Sequence, residues 1–401
     1  MKVAQISTWQ VPCGIAGYTA GLSEALQDSG IQCDVFPIDR TRLKYSSKKE
    51  LHEYYAELAD AVRGYDVVHI QHEFGFFWGS SPSLTLPVFA GFLRRLRSRA
   101  RSTFVTFHSE PYLDARQFPA ETRFLPAKQA LMRGYWSARI APEFLAGARA
   151  IVHTKMSRLA LLRSGLPAGS VELVRQGTPP PREPASPEER RAAKERLGLP
   201  PDAVVLTIFG FVTRHKGYTT MLEALRHLPR EYHLVILGGP HPFSPDLALD
   251  DILQWQRRRP KDAKRMTLTG YLPFEEVEEH LRATDIAVAP YREWPRVSSS
   301  AALTWALAAG RPIVASRVPA FEEIQDEYAC LHLTVPEATG ELAYRIQELA
   351  ADEALQAELV ARGHEYCTAH SWARAAEEHV RLYERATGVA AARRPRTPIP
   401  T

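Results

Sequence analysis

The residues most able to do chemistry in this sequence fall in a few short stretches. FGFVTRHKG places Arg214 and Lys216 between Gly210 and Gly217. Two cations in a glycine-flanked loop suit a diphosphate: a guanidinium grips two oxygens at once, and an ammonium adds a point charge. STWQVPCGIAGYTAGL sets Gly14 and Gly17 at the head of a helical pattern. Glycine lets another molecule approach the backbone, and a helix N-terminus offers unpaired N–H groups to an anion or a sugar. The stretch reads equally as a tight turn, and it lacks the G-x-G-x-x-G of a dinucleotide site. HIQHEFGFF and TFHSEP bring His72, Glu73, His108 and Glu110 to the ends of two β-rich runs. Polar groups there either converge on a ligand or make structural hydrogen bonds. LGGPHP and TGYLP add Gly239, Tyr271 and Leu272, where a flat base can approach the backbone or where simple turns suffice. RVSSSAALTWALAAGRPIVAS holds Ser298, Ser299, Ser300 and Ala301 at the start of an apolar helix. Their small side chains leave N–H groups bare for an anion, while one serine hydroxyl suffices to cap the helix.

Such loops need a scaffold, and the hydrophobic pattern supplies one. β-rich runs at 3–7, 33–38, 67–71, 103–108, 150–154 and 171–175 alternate with helical stretches. That alternation predicts βαβ units and a parallel sheet covered on both faces. The stretch 178–191, TPPPREPASPEERR, trades apolar periodicity for prolines and charges, as a linker running into a helix does. The pattern then restarts, with runs at 203–210, 233–239, 266–272, 285–291 and 312–316. The expected fold class is α/β: two doubly wound, Rossmann-like domains facing each other across a cleft at the carboxyl ends of both sheets. The boundaries read as 1–178 and 190–370, with a final amphipathic helix at 371–386 and a tail, 387–401, expected to be disordered.

Composition narrows the function classes. A chain of 401 residues suits two cores, and 45% hydrophobic with 24% charged residues is ordinary globular usage. The net charge of +4 comes without a long basic block, so a nucleic-acid partner is not expected. The cysteines at 13, 33, 330 and 367 form no C-x-x-C pair. They read as reduced thiols in a cytoplasmic protein, with no metal site. The amino terminus enters a strand pattern without a signal-peptide core, and no apolar run is long enough to span a bilayer. The segment 115–142 mixes basic and aromatic residues, which fits either peripheral contact with the inner face of a membrane or an ordinary packed helix.

CGIAGYT, VVHIQHEFG, TFHSEP, FGFVTRHKG, TGYL and SSSAALTWALAAGRPIVASRVPAFEE occur in one order through both halves. In this the chain resembles the family 4 retaining glycosyltransferases of the GT-B fold, over roughly residues 1 to 385. The resemblance implies an amino-terminal acceptor domain and a carboxyl-terminal domain for a nucleoside-diphosphate sugar, with the last helix packing back on the first domain. It implies that Gly14 belongs to the glycine-rich loop and that His108 stands near the reacting centre. It implies that Lys216 holds the donor diphosphate and that the helix starting near Ser300 faces it. The implied reaction is transfer of a sugar to a glycan, lipid-linked or small-molecule hydroxyl, without cofactor or metal; no D-x-D triplet occurs in the sequence.

Three positions depart from the family pattern. Phe211 stands where an arginine is usual, with Arg214 as the replacement charge. Val297 and Trp305 occupy the places of the E-x7-E pair, with Glu293 or Glu323 as substitutes. Gln176 replaces a histidine before the linker. The alternatives are a sugar phosphorylase or epimerase on the same fold, and a non-catalytic nucleotide-sugar-binding protein. Oligomeric state is not legible.

Overall fold

The computed structural model describes residues 1–109, 125–242, 246–292 and 299–390. The chain divides into two compact units: Met1–Gly177 with Pro295–Ser299 and Trp372–Thr401, and Thr178–Trp294 with Ser300–Ser371. The first holds a six-stranded sheet of β1 (Lys2–Ser7), β2 (Gln32–Pro37), β3 (Val67–His72), β4 (Ser102–Phe107), β5 (Arg149–Val152) and β6 (Val171–Leu173). Its spatial order is β2-β1-β3-β4-β5-β6, and every pairing is parallel. The second sheet contains β7 (Val204–Phe209), β8 (Tyr232–Leu237), β9 (Met266–Leu268), β10 (Ile286–Ala289), β11 (Ile313–Ser316) and β12 (His332–Thr334). It runs β12-β11-β10-β7-β8-β9, again all parallel. In each unit the strand order reverses about the first strand, as in doubly wound sheets.

Helices on both faces explain why the central strands carry so little surface polarity. All six residues of β3, of β4 and of β8 are buried, the condition that allows a parallel strand to be apolar on both sides. On one face of the first sheet, helices Gly14–Asp28 and Trp372–Thr387 pack with Val3, Val67, Phe104 and Ile151 into one apolar cluster. The Trp372 indole lies so close to Gly21 and Gly177 that a Cβ on either glycine would overlap it. On the other face, Val68, Ile70, Phe77, Phe89, Phe92 and Trp136 form the larger core. In the second unit, helix Pro187–Arg196 begins with a capping box: the Ser186 hydroxyl accepts from Glu189 N–H, and the Glu189 carboxylate accepts from Ser186 N–H. That reciprocal pair fixes where the proline-rich stretch ends.

Several features depart from the sequence reading. β12 lies outside the predicted runs; its three residues are too short for a periodic signal, and its place comes from pairing with β11. β9 stops at Leu268, so Thr269–Leu272 belongs to a loop rather than a strand. Of the segment 115–142, residues 115–124 lie outside the described residues. The rest forms helix Leu125–Tyr135, a π-helical turn Trp136–Ile140 and the start of helix Ala141–Leu145. Trp136 and Ile140 are fully buried in the core, whereas Leu131 is 74% exposed. The apolar character of Trp136 and Ile140 is therefore core packing. Residues 391–401 of the expected tail lie outside the described residues. Cys33, Cys330 and Cys367 are buried and Cys13 is partly exposed; all four are unpaired thiols.

Candidate functional site

In the second unit, β7 ends at Phe209 and the chain turns through Gly210 into a 3-10 turn, Arg214–Lys216, before helix Tyr218–Leu225. Gly217 closes that turn at φ +70°, and a Cβ there would overlap the Pro290 carbonyl. Both facts demand glycine. Gly210 sits at φ +107°, and a Cβ would stand 2.5 Å from the Lys216 ammonium and 3.6 Å from Ala302. The lysine therefore folds back across Gly210 to the first turn of helix Ala301–Ala308. Lys216 is buried. Its Nζ donates to the Phe209 carbonyl at 2.9 Å and to the Tyr291 hydroxyl at 3.0 Å. The Tyr291 hydroxyl lies 2.8 Å from Ser300 Oγ, which in turn accepts the Leu303 N–H as the helix cap. A buried ammonium thus has two oxygen partners, neither of them a carboxylate, and a capped helix N-terminus one hydroxyl away. That combination attracts an anion.

The neighbouring predicted positions divide. Ser300 is the cap and Ala301 opens the helix; Ser299 precedes them, half-buried. Ser298 and Glu293 lie outside the described residues. Glu323 lies half-buried within helix Pro319–Tyr328. Arg214 does not join Lys216. Its side chain is 46% exposed and pairs with Asp251 at 3.0 Å, and its backbone N–H donates to Asp246. An acidic helix start at Asp250 and Asp251 attracts the guanidinium there. Gly239 lies under the Tyr271 ring, with a Cβ position 2.9 Å from it. Tyr271 is 47% exposed, and Phe211 stands between it and His241 at 6.1 and 4.6 Å. The three rings make an aromatic ledge, with Tyr271 exposed and Phe211 and His241 half-buried. Leu272 and Trp305 both pack against the cluster of Val205, Val235 and Leu281, so the indole serves that apolar layer. His215 is half-buried, and desolvation followed by the nearby Lys216 charge pushes its pKa down to about 3.

In the first unit, helix Gly14–Asp28 starts at Cys13 with no side-chain cap bond. Cβ positions at Gly14 and Gly17 have nothing within 4 Å. Packing does not require glycine at either place, so the helix start is left uncrowded. His108 follows β4. Its Nε2 is 2.9 Å from Gln71 Oε1, and its ring meets Tyr18 edge-on at 4.9 Å and His153 at 5.4 Å. Burial above all, then His153 and His72, holds its pKa well below the usual value, so the ring is neutral at pH 7. Glu73 accepts a 2.6 Å hydrogen bond from the Ser109 hydroxyl. Glu110 lies outside the described residues.

His72 corrects the sequence reading. It points to the opposite face of the sheet from His69 and Gln71, because successive strand residues alternate. Its ring is fully buried among Phe74, Phe77, Phe89 and Phe107, with centroids 4.3 to 5.3 Å away. Neither ring nitrogen has a hydrogen-bond partner among the described residues, and burial pushes its pKa down to about 3. It is a core residue. Tyr291 and Gln71 were missed. Both stand at or near the carboxyl end of a strand, the criterion that found the other candidates, and Gln71 lies between two histidines in VVHIQH.

Residues 203–352 match the family described as glycosyl transferases group 1. A D-inositol 3-phosphate glycosyltransferase 2 from Catenulispora acidiphila is 31% identical over 190 residues, 42% of this chain and 40% of that protein. A D-inositol 3-phosphate glycosyltransferase from Xylanimonas cellulosilytica is 45% identical over 62 residues, 16% of this chain and 14% of that one. The chain thus spans well under half the length of these curated relatives. Among solved structures, sucrose-phosphate synthase from Thermosynechococcus elongatus superposes with a TM-score of 0.73 at 22% identity, covering 96% of this chain and 99% of that one. Anabaena HepE in complex with UDP-glucose gives 0.71 at 14% identity, covering 96% and 100%. The fold is the two-domain GT-B architecture of glycosyltransferases, and residues 203–352 carry a glycosyl transferases group 1 domain.

Proposed function

We propose that the chain is a retaining glycosyltransferase that moves a sugar from a nucleoside-diphosphate sugar to an acceptor hydroxyl. The observation that carries this reading is Lys216, buried against the Phe209 carbonyl and the Tyr291 hydroxyl and joined through Tyr291 to the capped start of helix Ala301–Ala308. HepE is described in complex with UDP-glucose, which supports a donor of that class here. The aromatic ledge of Tyr271, Phe211 and His241 would take the base. In the reaction, the acceptor oxygen bonds to the anomeric carbon as that carbon's bond to the diphosphate breaks. The electron pair leaves with the diphosphate, and one of its oxygens accepts the acceptor's proton. Lys216 and the helix N–H groups, not a metal, would stabilise the charge that develops. Arg214 would have to leave Asp251 to join them. The names of the curated relatives support a phosphorylated polyol as one acceptor class. The site of action would be cytoplasmic, with peripheral membrane contact where the acceptor is lipid-linked; no described helix is long and apolar enough to cross a membrane.

A second reading, a non-catalytic nucleotide-sugar binder, is favoured by Trp305 packing into the apolar layer where a glutamate is the family pattern. One experiment separates the two. Nucleotide release is measured over a panel of nucleoside-diphosphate sugars, with and without hydroxyl acceptors that include inositol phosphate. Acceptor-dependent release with one donor is the expected result. Lys216→Ala should lower it by roughly 100- to 1000-fold, the effect of removing one pre-organised charge-stabilising donor. Unchanged turnover in that variant would overturn the assignment, and donor binding without any turnover would leave the binder.

A further inference from the structure

We propose that the groove between helix Lys48–Ala61 and helix Thr85–Leu96 of the first unit is a binding site for a small phosphate ester, held by Lys48 and Arg95 over the His52 ring. It stands apart from the transferase reading, because none of its residues belongs to the candidate functional site. The two helices pack side by side on the larger core of the first unit. The first buries Leu51, Tyr54, Tyr55 and Ala59, and the second buries Phe89, Phe92 and Leu96. Lys48, His52 and Ala56 recur every four residues, so they form one stripe beside those buried positions. A concavity of about 490 Å³ follows the stripe, lined by Lys48, Lys49, His52, Glu53, Ala56 and Arg95. That is room for a sugar-sized ligand. Gly91 lets the imidazole settle into the seam between the helices: a Cβ there would stand 3.2 Å from His52 Cε1 and 3.4 Å from Nδ1.

The charges in the groove are unbalanced. Among the described residues its lining holds one carboxylate, Glu53, and Lys49 meets it at 3.8 Å. Lys48 and Arg95 have no carboxylate partner among the described residues. They reach the His52 ring from two different helices. After desolvation, their two charges are what hold the His52 pKa below its ordinary value. Two cations thus converge on one half-buried ring with nothing to offset them. An anion placed there gains from both, and it draws a proton onto the ring, which becomes a third cationic donor. Three donors around one point match a phosphate with three oxygens better than a carboxylate with two. The groove walls are the hydrocarbon stems of lysine and arginine with the Ala56 methyl, so they accommodate the organic body of an ester. A flat bilayer meets the rim of such a groove and not its half-buried floor, so a free phosphate ester fits it better than a lipid headgroup.

The test is a proton NMR titration of the full chain, with the His52 ring signal assigned by its loss in His52→Gln. Glycerol phosphate should raise the His52 pKa by about one, a tenfold gain in proton affinity. That rise should exceed the one that potassium chloride of equal ionic strength produces by screening, and it should saturate with ester concentration. Lys48→Gln combined with Arg95→Gln should abolish the response. Both side chains are exposed, and a thermal melt checks that the double variant folds. Lys216→Ala should keep the response, which separates this groove from the donor site. An equal response to chloride, a response that survives the double substitution, or one lost in Lys216→Ala would each overturn the proposal. So would co-sedimentation with phosphatidylglycerol vesicles by a chain whose His52 ignores glycerol phosphate, since the groove would then serve a lipid surface. If Lys216→Ala leaves sugar transfer intact, the transferase reading falls, and the His52 titration still decides the groove.

Discussion

The two sheets present their candidate chemistry by different means. At the end of the second sheet, backbone does the holding. Lys216 is gripped by the Phe209 carbonyl, and Gly210, Gly217 and Gly238 sit at positive φ so that adjacent turns can nearly touch. At the end of the first sheet, side chains hold side chains: Gln5, His69, Gln71, Thr106, His108 and Tyr383 form a buried hydrogen-bonded layer. Backbone turns are rigid because any added atom collides. A polar side-chain layer is specific only while each member keeps its proton in the right place. The first design is therefore vulnerable to steric change and the second to protonation.

The sharpest way to break this contrast is steric. Gly217→Ala must adopt φ +70° and displace the Pro290 carbonyl, which should cost about 3 kcal/mol of stability. Gly17→Ala, in a helix interior with open space at its Cβ, should instead gain about 0.5–1 kcal/mol. Urea melts of the two variants measure both. If the Gly17 variant gains stability and loses turnover, the space beside it serves a ligand rather than the fold.

Acid should press harder on the first unit, where burial lowers the pKa of His69, His72, His108, His153 and His379, than on the second, where His215 is pushed down to about 3. Burial pushes the pKa of His153 and of His379 down to about 4, and holds His69 and His108 well below their ordinary value. The unfolded chain binds these protons near pH 6.5, whereas the folded protein refuses them. Their contribution is thus complete above about pH 6.5 and is lost as pH falls toward 4, by about 2 kcal/mol each for His153 and His379 at pH 5 and in the same direction for His69 and His108. Hydrogen exchange at pH 7 and pH 5, read by mass spectrometry, should show the sheet β2-β1-β3-β4-β5-β6 losing protection first. Equal loss in both sheets would remove the distinction.

Smaller effects refine it. Tyr291→Phe deletes the hydroxyl between Lys216 and Ser300 and should cost about 1–2 kcal/mol, with turnover reduced roughly tenfold. A loss of turnover without a loss of stability would show the tyrosine acting on ligand instead. His72→Leu replaces a ring without hydrogen-bond partners among the described residues by an apolar group of similar volume. It should leave turnover unchanged and stability equal or raised by about 1 kcal/mol. A fall in turnover would return His72 to the acceptor side.

The sequence by itself determined the architecture and the backbone-built half of the chemistry. Strand–helix alternation is a local signal, and so is a glycine that must take positive φ beside a lysine. FGFVTRHKG therefore announced its own geometry. Only the tertiary structure decided the side-chain half. His69, Gln71 and His72 lie in one strand, and periodicity separates their faces without saying which face holds the aromatic core. The partners that distinguish them lie 37, 66 and 314 residues away. The same distance in sequence hid the pairing of Arg214 with Asp251, the apolar setting of Trp305 and the strand β12. A residue's type fixes what bonds it can make; which of them it makes depends on groups that only the folded chain brings within 3 Å or so.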